Sequence, residues 1–475
     1  MENQISKIPL KSRLECLEEE TRDRLDFFGP SVISDGDKRY KFVTYELGVV
    51  AMYSLVVDKV NFRNISKEKW LETCCSIVSK QEYLTDIFDE NTRNGIAAIA
   101  LMQAYLKQYI MLIYRSNFLY NYFEPDILNL KKLFFEKFEC DYSEFLTVFS
   151  CTLAYSKFKK NNQIYSILAK YAPNAMKYLS IDSQNFKRLY EPIYKWNDLS
   201  FINFNFLHRY PFIIHNETFY IPYWPSITYA ITESLMFDIT RDNDDLKTKI
   251  GKHAFEEYVY RITQRSKINE DCAVIKEIIY NKEHKHSSDI IVSKGENLVL
   301  VEVKFMNFKQ SLRRFDEGTI DYTELRMVEC IVQVYKNMIS ISNGEIKHVN
   351  IPVKIGFMLG VIVILDDFYL DYESIYKKAA ISISGFSSNV TPEQLKEIIC
   401  FTSLYEYERI QYYSSVNLID FFYDILKVKK QYNFWQYNTE NLASKGGINL
   451  KEVNDLYKSI LEKAANIIRI EEKLI

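Results

Sequence analysis

The chain is poor in residues that break regular structure, with 13 Gly and 10 Pro among 475 residues. That scarcity argues against a loop-rich, all-β architecture and makes long helical stretches the expectation. Nucleotide-binding loops are missing too. Neither GxxxxGK[ST] nor GxGxxG occurs, so no glycine cradle for a nucleoside triphosphate is expected. The eight cysteines, at 16, 74, 75, 140, 151, 272, 330 and 400, form no CxxC pair. Most lie inside apolar patterns and read as reduced core thiols of a cytosolic protein. Cys74 and Cys75 as a redox or metal pair is the alternative, although no further His or Cys lies near at ligand spacing. Long apolar runs are absent as well. The strongest, residues 96–102 and 355–365, fall short of the roughly 20 residues that span a bilayer. The first seven residues lack the apolar core of a signal peptide. A cytoplasmic protein without membrane segments is expected.

Charge of one sign is not in excess. With 60 basic and 63 acidic residues the net charge is −3, so contact with a polyanion must come from local patches. What is abundant is apolar material. Apolar residues make up 47% of the chain and aromatics 15%, ample for packed interiors. The length exceeds one hydrophobic core, and two or three domains follow.

From residue 40 to about 179, apolar residues recur at helical spacing, as in Leu47, Val50, Ala51 and Leu55, then Ile96, Ile99, Ala100 and Ala104, then Phe145, Val148, Phe149 and Leu153. An all-helical domain over 1–199 is expected, its Tyr and Phe filling the core. Near residue 200 the texture changes. Residues 211–223 read as a hairpin with a polar turn from His215 to Thr218. Helices are expected at 227–239 and 247–262, around a charged break at 241–245. Three strand candidates follow at 273–280, 289–292 and 298–304, then a helix at 324–340 and a strand or strand pair at 353–365. This is a mixed α/β layout. The expected division is an α/β domain over 200–390, followed by a helical C-terminal extension over 391–475 that packs on it.

The chemistry concentrates between Ser288 and Lys304. Two apolar runs flank the polar turn Lys294-Gly295-Glu296-Asn297, which makes a β-hairpin. If Ser293 pairs with Leu298, then Asp289 lies opposite Glu302. Directly opposed like charges are destabilising. Lys304 shares the face of Glu302 because side chains alternate along a strand. Two carboxylates and an ammonium thus converge at one end of an oily strand pair. A Mg²⁺ ion would relieve the repulsion, polarise a phosphate and acidify a water. The lysine could hold or deprotonate that water and offset charge in the transition state. The ordinary alternative is a solvated strand end in which Glu302 and Lys304 neutralise each other.

Asp289, twelve intervening residues, then Glu302-Val303-Lys304 resembles the core motif of the PD-(D/E)XK, or restriction-endonuclease-like, nuclease superfamily. The stretch Gly251-Lys-His-Ala-Phe-Glu256-Glu-Tyr-Val is similar to that family's first core helix, whose glutamate often completes the metal site. Gln333-Val-Tyr-Lys336 is similar to the helix after the catalytic strand, where a Gln or Lys frequently assists. The 211–223 hairpin resembles the entry to such domains in several bacterial defence-associated nucleases. One departure is Ser288, where the family name calls for proline.

The resemblance covers about residues 205–370. It implies a restriction-endonuclease-like core that hydrolyses phosphodiester bonds in nucleic acid, with DNA favoured and RNA open, and bacterial anti-phage defence as a setting. It implies Asp289, Glu302, Lys304 and Gln333 as catalytic residues. Asp289, Glu302 and Glu256 would hold Mg²⁺, for which Mn²⁺ substitutes. Helical geometry alone leaves Glu256 and Glu257 equivalent, since both lie off the apolar stripe. Lys309, Arg313, Arg314 and Lys336 are candidate phosphate contacts. The helical N-terminal domain would serve recognition, self-assembly or a protein partner. Arg209 and His215 match the RxxxxxH spacing of helical HEPN-type ribonucleases, but the strand-like, proline-containing segment between them rules that pattern out. A non-catalytic nucleic-acid-binding or scaffold protein that keeps a nuclease-like fold is the reading from another class.

Overall fold

The computed structural model describes residues 2–22, 44–57, 65–79, 109–123, 128–158, 164–191, 206–241, 243–306, 317–365, 370–387, 390–430 and 449–472. They form two compact units, one of residues 1–244 with 455–475, the other of residues 245–454. The protein is mixed α/β.

Among the described residues the first unit is helical up to Ser180, as the 3.6-residue spacing predicts, with helices such as Thr44–Val56, Lys67–Ser79 and Tyr142–Phe158. The expected pattern at Ile96–Ala104 lies outside the described residues. The aromatics do fill the core: Phe134 packs against Phe138 at 4.5 Å and against Phe145 at 5.5 Å between ring centroids. The hairpin Phe212–His215 with Thr218–Tyr220 forms about a two-residue turn in which Asn216 and Glu217 both take positive φ (49° and 60°), the geometry that matches strand twist.

That hairpin does not open the α/β unit. Ser180–Asp182 pairs parallel with Phe212–His215 and ties it to the helical unit. The units therefore divide between Asp244 and Asp245 rather than at 199/200.

The second unit begins on a helix that carries a π-helical turn, Ile250–Phe255, and continues as α1 (Glu256–Arg265). Strands β1 (Ala273–Lys276), β2 (Ile290–Lys294) and β3 (Asn297–Lys304) follow, then helix α2 (Glu317–Ser342) and strand β4 (Phe357–Ile364). Helix α3 (Tyr372–Ser384), strand β5 (Ile399–Ser403) and helix α4 (Leu404–Tyr413) complete its framework. The sheet order is β5-β4-β3-β2-β1. The β1–β2–β3 meander is antiparallel, whereas β3, β4 and β5 run parallel.

β5 places one strand within the helical extension expected after 391. Ile-Cys-Phe-Thr-Ser is buried throughout, so it lacks the alternation by which a strand is recognised. The predicted strand 273–280 also divides: Ile279–Tyr280 leaves the sheet and pairs with Lys285–His286 in a ladder of its own.

Side chains at even positions of β3 face α2. Leu298 and Leu300 share one core cluster with Met327, Val328, Ile331, Val334 and Met338 of α2, which recur at helical spacing. Gly360 of β4 permits this close approach, because a Cβ there would stand 2.4 Å from Val334 Cγ1 and 3.1 Å from Met338 Cε. The helix is thereby seated over the end of β3, where the charged residues lie.

Candidate active site

The hairpin register follows from its local pattern. Ser293 pairs with Leu298 and Ile290 with Val301 across a two-residue loop, Gly295-Glu296. The same register carried one residue further sets Asp289 beside Glu302. Regular pairing stops there, and the Asp289 side chain takes over as acceptor: its Oδ2 receives the Val303 backbone N–H at 2.6 Å. Asp289 is thus fixed to β3 by a backbone bond.

Glu302 is fully buried, at 0% exposure, and is held by two donors on one oxygen. Lys304 Nζ and Gln333 Nε2 each donate to Oε1 at 2.6 Å. Gln333 comes from the rim of α2, Lys304 from the end of β3. The other carboxylate oxygen, Oε2, is buried and makes no hydrogen bond of standard geometry, with the Ser288 side chain the further group that eases the charge of this carboxyl. An unsatisfied carboxylate oxygen in an apolar interior is costly, and it marks where a further positive or donor group fits. Beneath the site, Asn337 Nδ2 donates to the buried Ser288 Oγ at 3.1 Å. Ser288 thus supplies an acceptor that ties the start of β2 to α2.

The acids strain against one another. Burial first, then the charges of Glu302 and Glu256, hold the Asp289 carboxyl well above its ordinary range, with Lys304 pulling the other way. Burial also raises Glu302, against the opposing pull of Lys304. Burial and then the charge of Glu277 push Glu256 up to about 8. For Lys304, burial favours the neutral amine, but the charges of Glu302 and Asp289 outweigh it and raise its pKa. Lys304 is therefore held as a cation by the carboxylates around it, while burial pushes those carboxyls toward keeping their protons and the lysine opposes that push.

The structure separates Glu256 from Glu257. Glu257 pairs with Lys276 on β1, whereas the charge of Glu256 is felt at Asp289. Glu277 was not singled out from the sequence. The Lys276–Ile290 pairing carried one residue further sets Glu277 on the other side of Asp289, so three adjacent strand ends present Glu277, Asp289 and Glu302 in a row. Only the pairing of β1 with β2 reveals it, since no tight turn joins those strands. Glu277 Oε1 meets His286 Nδ1 at 2.9 Å, and His284, in the intervening turn, is exposed.

Lys336 lies one turn beyond Gln333 on α2, with its ammonium 4.8 Å from the centre of the Phe386 ring. Lys309, Arg313 and Arg314 lie outside the described residues. Arg209 is directed to Asp238, and His215 Nδ1 meets Ser183 Oγ at 3.0 Å, so the RxxxxxH spacing assembles no shared site. Cys74 and Cys75 are both buried in the core of the first unit.

Among the described residues, no three His, Cys, Asp or Glu side chains are gathered closely enough to hold a metal ion, so Glu256 does not complete a ready-made three-ligand cage with Asp289 and Glu302. The donor set still fits a small hard cation. Mg²⁺ is commonly bound through one or two carboxylates, with waters and substrate phosphates completing the shell, and Glu302 Oε2 is a carboxylate oxygen that makes no hydrogen bond of standard geometry. No described helix is long and apolar enough to cross a membrane. The chain matches no family model, no curated protein and no solved structure.

Proposed function

We propose that residues 245–454 are a Mg²⁺-dependent nuclease unit of the PD-(D/E)XK kind, hydrolysing phosphodiester bonds in nucleic acid, with DNA the favoured substrate. The observation that carries this reading is Glu302: fully buried, one oxygen held by Lys304 and Gln333, the other making no hydrogen bond of standard geometry, beside a second acid whose charge it opposes. The order of α1, the β1–β2–β3 meander, α2 and parallel β4 supports it, because the motif residues fall at the strand ends and helix faces that the resemblance implies.

Asp289 and Glu302 would hold the cation, with Glu256 as a third acid at longer range. When bound, Mg²⁺ (or Mn²⁺) supplies positive charge that polarises a phosphate and acidifies water. Lys304 carries its proton, so its part is to orient the attacking water and offset charge in the transition state rather than to act as the resting base. Gln333 fixes the carboxylate of Glu302 and leaves Oε2 for the cation. The helical unit would provide recognition or assembly, and a role in anti-phage defence rests on the resemblance alone.

A second reading, a nuclease-like scaffold without chemistry, draws on the bonds that Glu302 Oε1 already makes within the protein and on the lack of a three-ligand group among the described residues. One assay separates the two. The full chain is incubated with duplex DNA, single-stranded DNA and RNA in Mg²⁺, Mn²⁺, Ca²⁺ or EDTA, alongside Glu302→Gln and Lys304→Ala. Cleavage in Mg²⁺ or Mn²⁺ that both substitutions abolish supports the nuclease. Cleavage that persists in EDTA, or none on any substrate, sinks it.

A further inference from the structure

The π-helical turn Ile250–Phe255 sits immediately before Glu256. A π-turn closes i→i+5 hydrogen bonds within an α-helix and re-aims the residues that follow it. Two contacts join this turn to the end of β3. Gly251, inside the turn, lies against Phe305: a Cβ at position 251 would stand 2.6 Å from Phe305 Cβ and 3.2 Å from its Cγ. Phe255, the last residue of the turn, packs its ring on that of Phe305 at 4.5 Å between centroids and 36° between planes. The connected residues are next neighbours of functional ones. Phe255 precedes Glu256, and Phe305 follows Lys304.

We propose that Gly251, Phe255 and Phe305 form a positioning clamp that sets Glu256 relative to Lys304 and so to the Asp289–Glu302 pair. The clamp rests on the nuclease reading of that pair and adds to it the residues that hold the two halves of the site in register. Its geometry is demanding because the tight contact is to Phe305 Cβ, which is bonded directly to the strand backbone and cannot swing aside. An added methyl at 251 must displace the end of β3 or the π-turn itself. Shortening Phe305 to Ala removes the Cγ contact at 3.2 Å but leaves the severe one to Cβ at 2.6 Å, whereas glycine at 305 removes both.

Mn²⁺ binding to the full chain is measured by calorimetry, together with thermal unfolding, for the wild type, Gly251→Ala, Gly251→Ala/Phe305→Gly, Gly251→Ala/Phe305→Ala and Phe305→Leu. A folded Gly251→Ala variant should bind Mn²⁺ about ten- to a hundredfold more weakly, the usual range for loss of a group that supports metal ligands. Part of the loss, the part due to the overlap, should return with Phe305→Gly, which gives up the ring contact, and less with Phe305→Ala. A folded Gly251→Ala variant with wild-type Mn²⁺ affinity overturns the clamp and leaves the nuclease reading standing. Failure of the wild type to bind Mn²⁺ overturns that reading, and the clamp with it. If Gly251→Ala does not fold, Phe305→Leu decides, since it keeps the Cβ and removes the ring contact with Phe255. Weaker Mn²⁺ binding by Phe305→Leu then supports the clamp, and unchanged binding overturns it.

Discussion

Replacing Glu256 with Gln probes the electrostatics of the site at nearly constant volume. Burial, then the charge of Glu277, push its carboxyl up to about 8 from an ordinary 4.5. An acid raised in this way keeps, in the folded chain, a proton that the unfolded chain has already lost. Its contribution to stability is fully present below the unfolded pKa and is lost as pH rises through the folded one. Within that window each retained proton lowers stability by about 1.4 kcal/mol per pH unit. Glu256 keeps part of its surface in water, and screening reduces the effect to about 2 kcal/mol between pH 5 and pH 8. Asp289 and Glu302, also raised, act in the same direction. Glu256→Gln is neutral at every pH and removes one proton from the balance. Unfolding in EDTA, followed from pH 5 to pH 8, should therefore show wild-type stability falling more steeply than that of the variant, by about 2 kcal/mol over the range. Parallel pH profiles would refute the reasoning, because Glu256 would then titrate as an ordinary surface acid.

Mn²⁺ binding near pH 7, measured by calorimetry in buffers of different ionisation enthalpy, should release roughly one proton per cation, because ligands must be deprotonated to bind; zero release would contradict acids that hold their protons. Gln333→Ala removes one of two donors to Glu302 Oε1, so urea unfolding should show a loss of about 1 kcal/mol and kinetics a fall in kcat with KM steady. No change in either would mean that this bond is idle. Lys304→Met removes one of the two donors to the buried Glu302 Oε1 and leaves Gln333, and metal-free stability at pH 8 should fall by about 1–3 kcal/mol. An unchanged melt would count against the ion pair. A fragment of residues 245–454 contains Glu256, Glu277, Asp289, Glu302, Lys304 and Gln333 and should bind Mn²⁺ as the full chain does. Loss of binding in a soluble, folded fragment would mean that the other unit supplies a ligand.

What was legible in the sequence depends on neighbours in the chain. The β2–β3 hairpin was readable because two apolar runs and a short polar turn lie within sixteen residues, and those local features set the register that brings Asp289 to Glu302. The helix bearing Gln333 was readable because its apolar residues recur at helical spacing. Features that depend on distant pairing were not readable. That Glu257 pairs with Lys276 of the neighbouring strand while the charge of Glu256 reaches Asp289 could not be read from the helix alone. Glu277 entered only through the register of β1 against β2, and the 211–223 hairpin went to the helical unit only through Ser180–Asp182. The contact between Gly251 and Phe305 joins residues 54 apart. No periodicity encodes which apolar surface meets which. Local pattern fixes the identity and facing of each element, but the choice among partners is made by packing, where a single Cβ decides how closely two backbones approach.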